Sequence, residues 1–126
     1  MNKRVLIIED ETNIRAMYAS MLKEEGYEVL EEEEGKKGLD SLINSEWDLL
    51  LLDIMLPRLD GIELLKRLQQ DQRTKDRPVV VLTNLDDDRV RDTCLGLGVQ
   101  EFMVKANVTP NDVTLAVKKY AFVEEK

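Results

Sequence analysis

The stretch Leu49-Leu50-Leu51-Leu52-Asp53 decides the fold of this chain. Four consecutive apolar residues that end at an acid are typical of a strand buried on both faces, as in a parallel sheet. Taken alone, the leucine run also suits a helix, but its polar bounds and its place in the chain favour a strand. Comparable runs lie at Val5–Ile8, Val79–Leu82 and Phe102–Val104, and a weaker one lies at Tyr27–Leu30.

Segments with helical spacing alternate with these runs. Each carries apolar residues three, four or seven positions apart, and Thr109-Pro110 suits the N-cap and first position of the last helix. The apolar residues that mark the five segments are Ile14, Tyr18 and Leu22; Leu39, Leu42 and Ile43; Ile62, Leu65 and Leu68; Val90, Cys94 and Leu97; and Val113, Ala116, Val117 and Tyr120. The alternation predicts an α/β fold, a doubly wound five-stranded parallel sheet in the order 2-1-3-4-5 with five strand–helix units.

Composition narrows the classes of function. The chain has 126 residues, a net charge of −8, no histidine and one cysteine. This length fits one domain, and we predict a single domain over residues 1–126. Without histidine the chain cannot perform Ser-His-Asp or Cys-His catalysis, and any metal must be a hard ion bound by oxygen.

The same composition gives expectations about location and partners. One cysteine allows no internal disulfide, and the sequence shows no targeting or membrane-spanning segment, so we expect a cytoplasmic protein. The net negative charge disfavours nonspecific binding to nucleic acid or to an anionic membrane. No segment indicates a DNA-binding domain.

Polar side chains follow four of the predicted strands. Glu9 and Asp10 follow the first strand, Asp53 follows the third, Thr83 ends the fourth and Lys105 follows the fifth. Because the carboxyl ends of parallel strands meet at one edge of a sheet, we expect these side chains to lie together. Each acid alone suits a helix cap or a solvated loop, but their joint occurrence favours a site.

The chemistry that this set favours is cation and phosphoryl binding. Two carboxylates about 4 Å apart repel by roughly 4 kcal/mol at an effective dielectric constant near 20, and a divalent cation relieves that repulsion. Mg²⁺ takes one or two carboxylates together with waters and phosphate oxygens. A carboxylate can also attack phosphorus and form an acyl phosphate, while a lysine and a hydroxyl bind phosphoryl oxygens.

These residues resemble the receiver domain of two-component response regulators, the domain that the chemotaxis response regulator shares. The resemblance covers essentially the whole chain, and it rests on four segments in a fixed order. They are Val5-Leu6-Ile7-Ile8-Glu9-Asp10, Leu51-Leu52-Asp53-Ile54-Met55-Leu56-Pro57-Arg58-Leu59-Asp60-Gly61, Val81-Leu82-Thr83 and Phe102-Met103-Val104-Lys105. The resemblance implies a flavodoxin-like fold.

The resemblance also implies roles for the site residues. Asp53 is the phosphoryl acceptor, Asp10 is a direct ligand of Mg²⁺ (or Mn²⁺), and Glu9 acts on the metal through water. Asp53 and the backbone carbonyl of Met55 complete the protein's share of the metal ligands. The residues implied for phosphate binding and switching are Thr83 (the switch hydroxyl), Phe102 (the switch aromatic) and Lys105 (the phosphate-binding lysine).

The sequence departs from the family pattern at three positions. Ala106 replaces the proline that usually follows the lysine, so we expect either a trans bond with a reshaped loop after Lys105 or a strained cis bond. Asn84 stands where a smaller residue is common, and its side chain is expected to shield the phosphoryl group or to orient water. Phe102 replaces a frequent tyrosine, so the switch has no hydroxyl to report its position.

Two further features carry interpretations. Met17 and Met21 lie on the first helix as either core residues or part of a docking face for a kinase or a phosphotransfer protein. The acidic run Glu31–Glu34 is interpreted as a solvated loop, with a docking surface as the alternative.

The function that the resemblance implies is a phosphoacceptor switch in a phosphorelay. A partner histidine kinase or phosphotransfer protein donates a phosphoryl group to Asp53, and the fourth helix, fifth strand and fifth helix then change their affinity for a target protein. We expect no enzyme activity beyond the domain's own phosphorylation and dephosphorylation. One alternative is a pseudo-receiver that binds partners constitutively. Another is a flavodoxin-like flavin binder, which the acids Glu9-Asp10-Glu11 disfavour because they repel a phosphate.

Overall fold

A parallel sheet forms the centre of the molecule in a computed structural model that describes residues 3–33, 41–42, 44–56 and 59–121. Its strands are β1 (Arg4–Ile8), β2 (Glu28–Glu32), β3 (Leu49–Leu52), β4 (Val79–Thr83) and β5 (Glu101–Val104). All neighbouring strands run parallel, and their spatial order is β2-β1-β3-β4-β5. The predicted order 2-1-3-4-5 is therefore confirmed.

Helices connect the strands. They are α1 (Thr12–Glu24), α2 (Gly61–Gln70), α3 (Asp88–Gly96) and α4 (Pro110–Ala121). These correspond to the first, third, fourth and fifth helices predicted from the sequence. The predicted second helix lies largely outside the described residues, which omit Leu39 and Ile43; residues 41, 42 and 44 are helical, and Leu42 is fully buried.

The apolar strand residues alternate between two core clusters, one on each face of the sheet. Val5 and Ile7 of β1 pack with apolar residues of α1 and α4, whereas Leu6 and Ile8 pack with those of α2 and α3. All four leucines of β3 are buried, because helices cover both faces. The sheet is therefore doubly wound, as predicted.

Local signals fix the starts of two helices that flank the site. The carboxylate of Asp87 caps α3 by accepting hydrogen bonds from the amides of Arg89 and Val90. At α4, the Thr109 hydroxyl accepts from the amide of Asp112, and the Asp112 carboxylate accepts from the amide of Thr109. The predicted N-cap at Thr109 is confirmed.

The segment between Asp53 and α2 folds back on itself. Met55–Leu56 pairs antiparallel with Leu59–Asp60, and Pro57 and Arg58 of the family-like motif lie outside the described residues. Gly61 starts α2 so close to this segment that a Cβ atom there would lie 2.6 Å from Cα of Ile54. Any larger residue at position 61 would displace the loop that begins at Asp53.

One expectation about the edge strand is wrong. The acidic run at Glu31–Glu34 is predicted as a solvated loop, but Glu31 and Glu32 belong to β2 and pair with Ile7 and Ile8 of β1. Glu34 lies outside the described residues. Strand pairing thus brings the acidic end of β2 beside the end of β1.

No helix in the described part of the chain has the length and apolar character needed to cross a membrane.

Candidate functional site

Three carboxylates meet at the carboxyl edge of the sheet. Glu9 and Asp10 follow β1 and Asp53 follows β3, and one carboxylate oxygen of each lies within 4.8 Å of the others. The amide of Asp53 donates to the carbonyl of Ile8 at 3.0 Å, so pairing between β1 and β3 sets the spacing. Glu9 is 4% exposed and Asp53 6%, whereas Asp10 is exposed. The predicted convergence of the acids is therefore confirmed.

Lys105 completes the cluster. Its ammonium group hydrogen-bonds to Oε1 of Glu9 and lies 3.2 Å from Oδ2 of Asp53. The described residues contain no cis peptide bond, and the chain after β5 forms a 3₁₀ turn over Lys105–Asn107. Of the two expectations for the bond before Ala106, the trans bond is confirmed, and Lys105 reaches the acids without the family's proline. That the loop is reshaped relative to the family stays a prediction.

The two oxygens of Asp53 have different surroundings. Oδ1 accepts a hydrogen bond from the amide of Met55 at 2.9 Å, and Oδ2 faces Lys105. The backbone of Met55 thus contacts Asp53 through its N–H, while the predicted metal-ligand role of its carbonyl stays a prediction. Met55 is 53% exposed.

Burial dominates the electrostatics of Glu9. The pKa of Glu9 is raised to about 7, chiefly by loss of hydration and also by the neighbouring Asp53, while Lys105 opposes the shift. Burial alone lowers the pKa of Lys105, but its contacts with Glu9 and Asp53 outweigh that loss and raise it. Three carboxylates facing one ammonium leave the cluster short of positive charge.

The cluster fits a hard divalent cation. Oε2 of Glu9 is buried and has no hydrogen-bond partner among the described residues, although a buried carboxylate oxygen is costly to leave unpaired. Two other acids offer oxygens beside it. Carboxylate oxygens are the ligands that Mg²⁺ and Mn²⁺ prefer, and neither cysteine nor histidine competes for the position.

The remaining predicted residues lie in or directly after β4 and β5. Thr83 is fully buried, and its hydroxyl accepts from the amide of Leu85 at 3.3 Å; no hydrogen bond joins it to Asp53 in the part of the chain that the structure describes. Asn84 and Ala106 are exposed. Phe102 is partly buried against the core cluster that contains Cys94. The switching and modulating roles of these residues stay predictions.

The two methionines of α1 differ in exposure. Met17 is 40% exposed, while Met21 is partly buried. Neither is fully buried, so the core interpretation does not describe Met17. Their role in docking stays a prediction.

Arg15 is a neighbour of the site that the sequence motifs do not indicate. Its guanidinium donates from Nη1 to the backbone carbonyl of Glu9 at 2.7 Å, and its side chain is only 13% exposed. The available signal is its place one turn into α1, four residues after Glu11, where a long side chain reaches back to the strand end. The contact is to a carbonyl, which no side-chain pattern reveals.

Fold and site together define a class of protein, an α/β domain whose doubly wound sheet gathers buried acids and a lysine at its carboxyl edge. The family model of the response regulator receiver domain matches residues 5–118. The chain belongs to the response regulator receiver domain family.

Curated relatives agree with this assignment. The alkaline phosphatase synthesis transcriptional regulatory protein PhoP of Bacillus subtilis is 35% identical over 118 residues. The phosphate regulon transcriptional regulatory protein PhoB of Escherichia coli is 36% identical over 121 residues. Each alignment covers 94% of this chain, but 48% of PhoP and 51% of PhoB. The chain spans about half the length of these relatives.

Solved structures show the same fold. A CheY-like response regulator receiver domain protein from Methanospirillum hungatei is 28% identical with a TM-score of 0.88, and the alignment covers 96% of this chain and 94% of that one. The response regulator TrrA of Thermotoga maritima, solved in complex with Mg(2+)-BeF, is 30% identical with a TM-score of 0.81. That alignment covers 94% of this chain and 98% of TrrA.

Proposed function

We propose that this domain is a phosphoacceptor switch and that Asp53 accepts the phosphoryl group. The observation that carries the proposal is the placement of Asp53, buried after the end of β3 beside Lys105 and the acids Glu9 and Asp10. Membership of the receiver domain family and the structural likeness to TrrA, which was solved with Mg(2+)-BeF, support it.

Each residue of the site has a separate role in phosphoryl transfer. A carboxylate oxygen of Asp53 attacks phosphorus in line as the bond to the donor nitrogen breaks, and the donor imidazole keeps that electron pair. Lys105 lies 3.2 Å from Oδ2 of Asp53 and balances charge on the phosphoryl oxygens. In the phosphorylated state the Thr83 side chain turns away from the amide of Leu85 and toward the phosphoryl group. Phe102 then moves into the space that Thr83 leaves.

Glu9, Asp10, Asp53 and the carbonyl of Met55 are proposed to hold Mg²⁺ or Mn²⁺. When bound, the ion supplies positive charge to phosphoryl oxygens and lowers the repulsion between them and the attacking carboxylate. Asp10, the exposed member of the cluster, is proposed as a direct ligand. Glu9 is proposed to act through water.

The donor and the target are proposed to be other proteins. The chain has no histidine, so the phosphohistidine must come from a histidine kinase or a phosphotransfer protein, for which Met17 and Met21 are the proposed docking residues. The proposed output face comprises α3, β5 and α4. It contains a cleft of about 420 Å³ whose lining includes Phe102, Val108 and Arg91. Movement of Phe102 would therefore reshape the surface that a target contacts.

Two further parts of the proposal concern activity and location. We propose no catalysis beyond the domain's own phosphorylation and dephosphorylation. We also propose a cytoplasmic location, which the buried free thiol of Cys94 fits.

Incubation with acetyl phosphate and Mg²⁺ is expected to add the mass of one phosphoryl group to the intact protein. Asp53→Asn protein is expected to gain nothing, because an amide cannot form the acyl phosphate. Intact-mass spectrometry measures both, with Asp48→Asn as a matched control for an acid at the other end of β3. Absence of any gain in the wild type would favour the pseudo-receiver, and equal gain in Asp53→Asn would place the acceptor elsewhere.

Mg²⁺ is expected to raise the melting temperature by binding only the folded state. At ten times its dissociation constant the ion adds about 1.4 kcal/mol to the free energy of unfolding. Asp10→Asn is expected to abolish the rise, whereas Asp76→Asn, a change at an exposed acid outside the cluster, is expected to leave it intact. If Mg²⁺ raises the melting temperature of Asp10→Asn as much as that of the wild type, the metal binds away from the cluster.

A further inference from the structure

We propose that Arg15 is a positioning residue for the acid cluster, because it holds the peptide that joins Glu9 to Asp10. The inference rests on the proposed Mg²⁺ site and names a residue outside its ligands. In this role Arg15 touches neither metal nor phosphoryl group. It acts through the backbone between two of the acids.

The geometry places three contacts on one guanidinium. Nη1 donates to the carbonyl oxygen of Glu9 at 2.7 Å, Nε lies 3.6 Å from Oε1 of Glu31, and Nη2 lies 3.8 Å from Oε2 of Glu33. The side chain is 13% exposed, which is low for an arginine on a surface helix. Arg15 thereby joins α1 to the ends of β1 and β2.

The carbonyl that Arg15 holds is the one that directs Asp10. On its other side Glu9 is fixed by its amide, which donates to the carbonyl of Glu32 at 3.0 Å. Among the described residues no side-chain hydrogen bond or ion pair holds the exposed carboxylate of Asp10. The orientation of Asp10 therefore depends on the backbone, and Arg15 anchors the peptide plane from which it projects.

The acidic end of β2 gains a role from this arrangement. Glu31 and Glu33 lie beside the guanidinium and balance its charge next to the proposed cation site. A planar guanidinium serves this purpose better than an ammonium, because its fork of donors can face a carbonyl and two carboxylates at once.

Two physical effects of removing Arg15 have opposite signs, and this makes the inference testable. If Arg15 acted only through its charge, its removal would take a cation away from the metal site and tighten Mg²⁺ binding. If it positions Glu9 and Asp10, its removal weakens Mg²⁺ binding. Loss of residues that orient metal ligands typically costs 10- to 100-fold in affinity.

The test is Mg²⁺ titration of wild type, Arg15→Gln and Arg15→Lys by calorimetry at low ionic strength. Arg15→Gln is expected to bind Mg²⁺ about 10-fold more weakly or worse. The Mg²⁺ affinity of Arg15→Lys is expected to lie between those of Arg15→Gln and the wild type, since lysine keeps the charge and one donor group. It also serves as the test variant if Arg15→Gln does not fold. Equal or tighter binding by Arg15→Gln, or wild-type binding by Arg15→Lys, would overturn the inference.

Arg4→Gln is the matched control. Arg4 pairs with Glu28 at 2.7 Å and links β1 to β2 at their opposite end, so its loss removes a similar ion pair but no site contact. Its Mg²⁺ affinity is expected to equal that of the wild type. A loss of affinity in Arg4→Gln as large as in Arg15→Gln would assign the effect to strand pairing and overturn the inference. If the wild type does not bind Mg²⁺, the proposed metal site itself is wrong. That result differs from one in which the wild type binds Mg²⁺ and the variants fail to differ as expected, which overturns only the role of Arg15.

Discussion

Lys105→Met is expected to lower the free energy of unfolding of the metal-free protein by about 3 kcal/mol at pH 8. The substitution leaves the buried carboxylates of Glu9 and Asp53 without the ammonium that contacts both. Removing one partner of a buried ion pair typically costs 3–5 kcal/mol, because the remaining charge is neither hydrated nor paired. The low end applies here, since Glu9 can take up a proton and remove its charge.

Urea unfolding in the presence of EDTA measures this loss, with Lys66→Met as the control. Lys66 is an exposed lysine 3.5 Å from Glu63 on α2, and such surface pairs contribute at most about 1 kcal/mol. Adding Asp53→Asn to Lys105→Met should recover part of the loss, because one unpaired charge is removed. Mg²⁺ should reduce the difference in free energy of unfolding between wild type and Lys105→Met. A loss no larger than that of Lys66→Met would show that the Lys105 contacts contribute little to stability.

The fold could be predicted from the sequence because its strands are buried on both faces. Leu49–Leu52 carries no polar residue, and only a sheet covered on two sides can bury such a run. The convergence of Glu9, Asp53 and Lys105 followed from the same premise, since parallel strands end at one edge. These predictions needed only the element type and its order in the chain.

Other features could not be predicted because they depend on tertiary contacts. The backbone after β5 is one such feature: the motif without proline leaves two backbone conformations open, and the structure forms a 3₁₀ turn over Lys105–Asn107. The acidic neighbours of Glu31 predict a solvated loop, yet pairing with β1 extends β2 through it. Tertiary pairing outweighed the local preference, as is common for edge strands.

Stability of the metal-free protein is expected to fall as pH rises from 5 to 8, and Glu9→Gln is expected to remove most of that fall. The folded-state pKa of Glu9 is about 7, raised chiefly by burial from an ordinary value of 4.5. Between these values the folded state holds a proton that the unfolded state has released. Its contribution to stability is therefore complete below pH 4.5 and is lost as pH rises through 7.

The size of this loss of stability follows from the difference between the two pKa values of Glu9. A shift from 4.5 to about 7 corresponds to about 3 kcal/mol, of which about 2 to 3 kcal/mol falls between pH 5 and pH 8. The absence of histidine leaves this pH range free of the side chain that usually titrates there. Of the other shifted carboxyls in the described residues, Asp71 has its pKa lowered to about 2 by hydrogen bonds from Arg73, well below the range.

Urea unfolding in EDTA across this pH range compares wild type, Glu9→Gln and Glu63→Gln. Glu63 is an exposed acid on α2, so its variant should keep the wild-type slope. The stability difference between Glu9→Gln and wild type should grow with pH, because the neutral amide avoids the cost of ionising a buried acid. Saturating Mg²⁺ should reduce or reverse the slope, since a cation favours the ionised carboxylate. If the free energy of unfolding depends on pH in the same way for wild type and Glu9→Gln in EDTA, Glu9 ionises in the folded state as readily as in the unfolded chain.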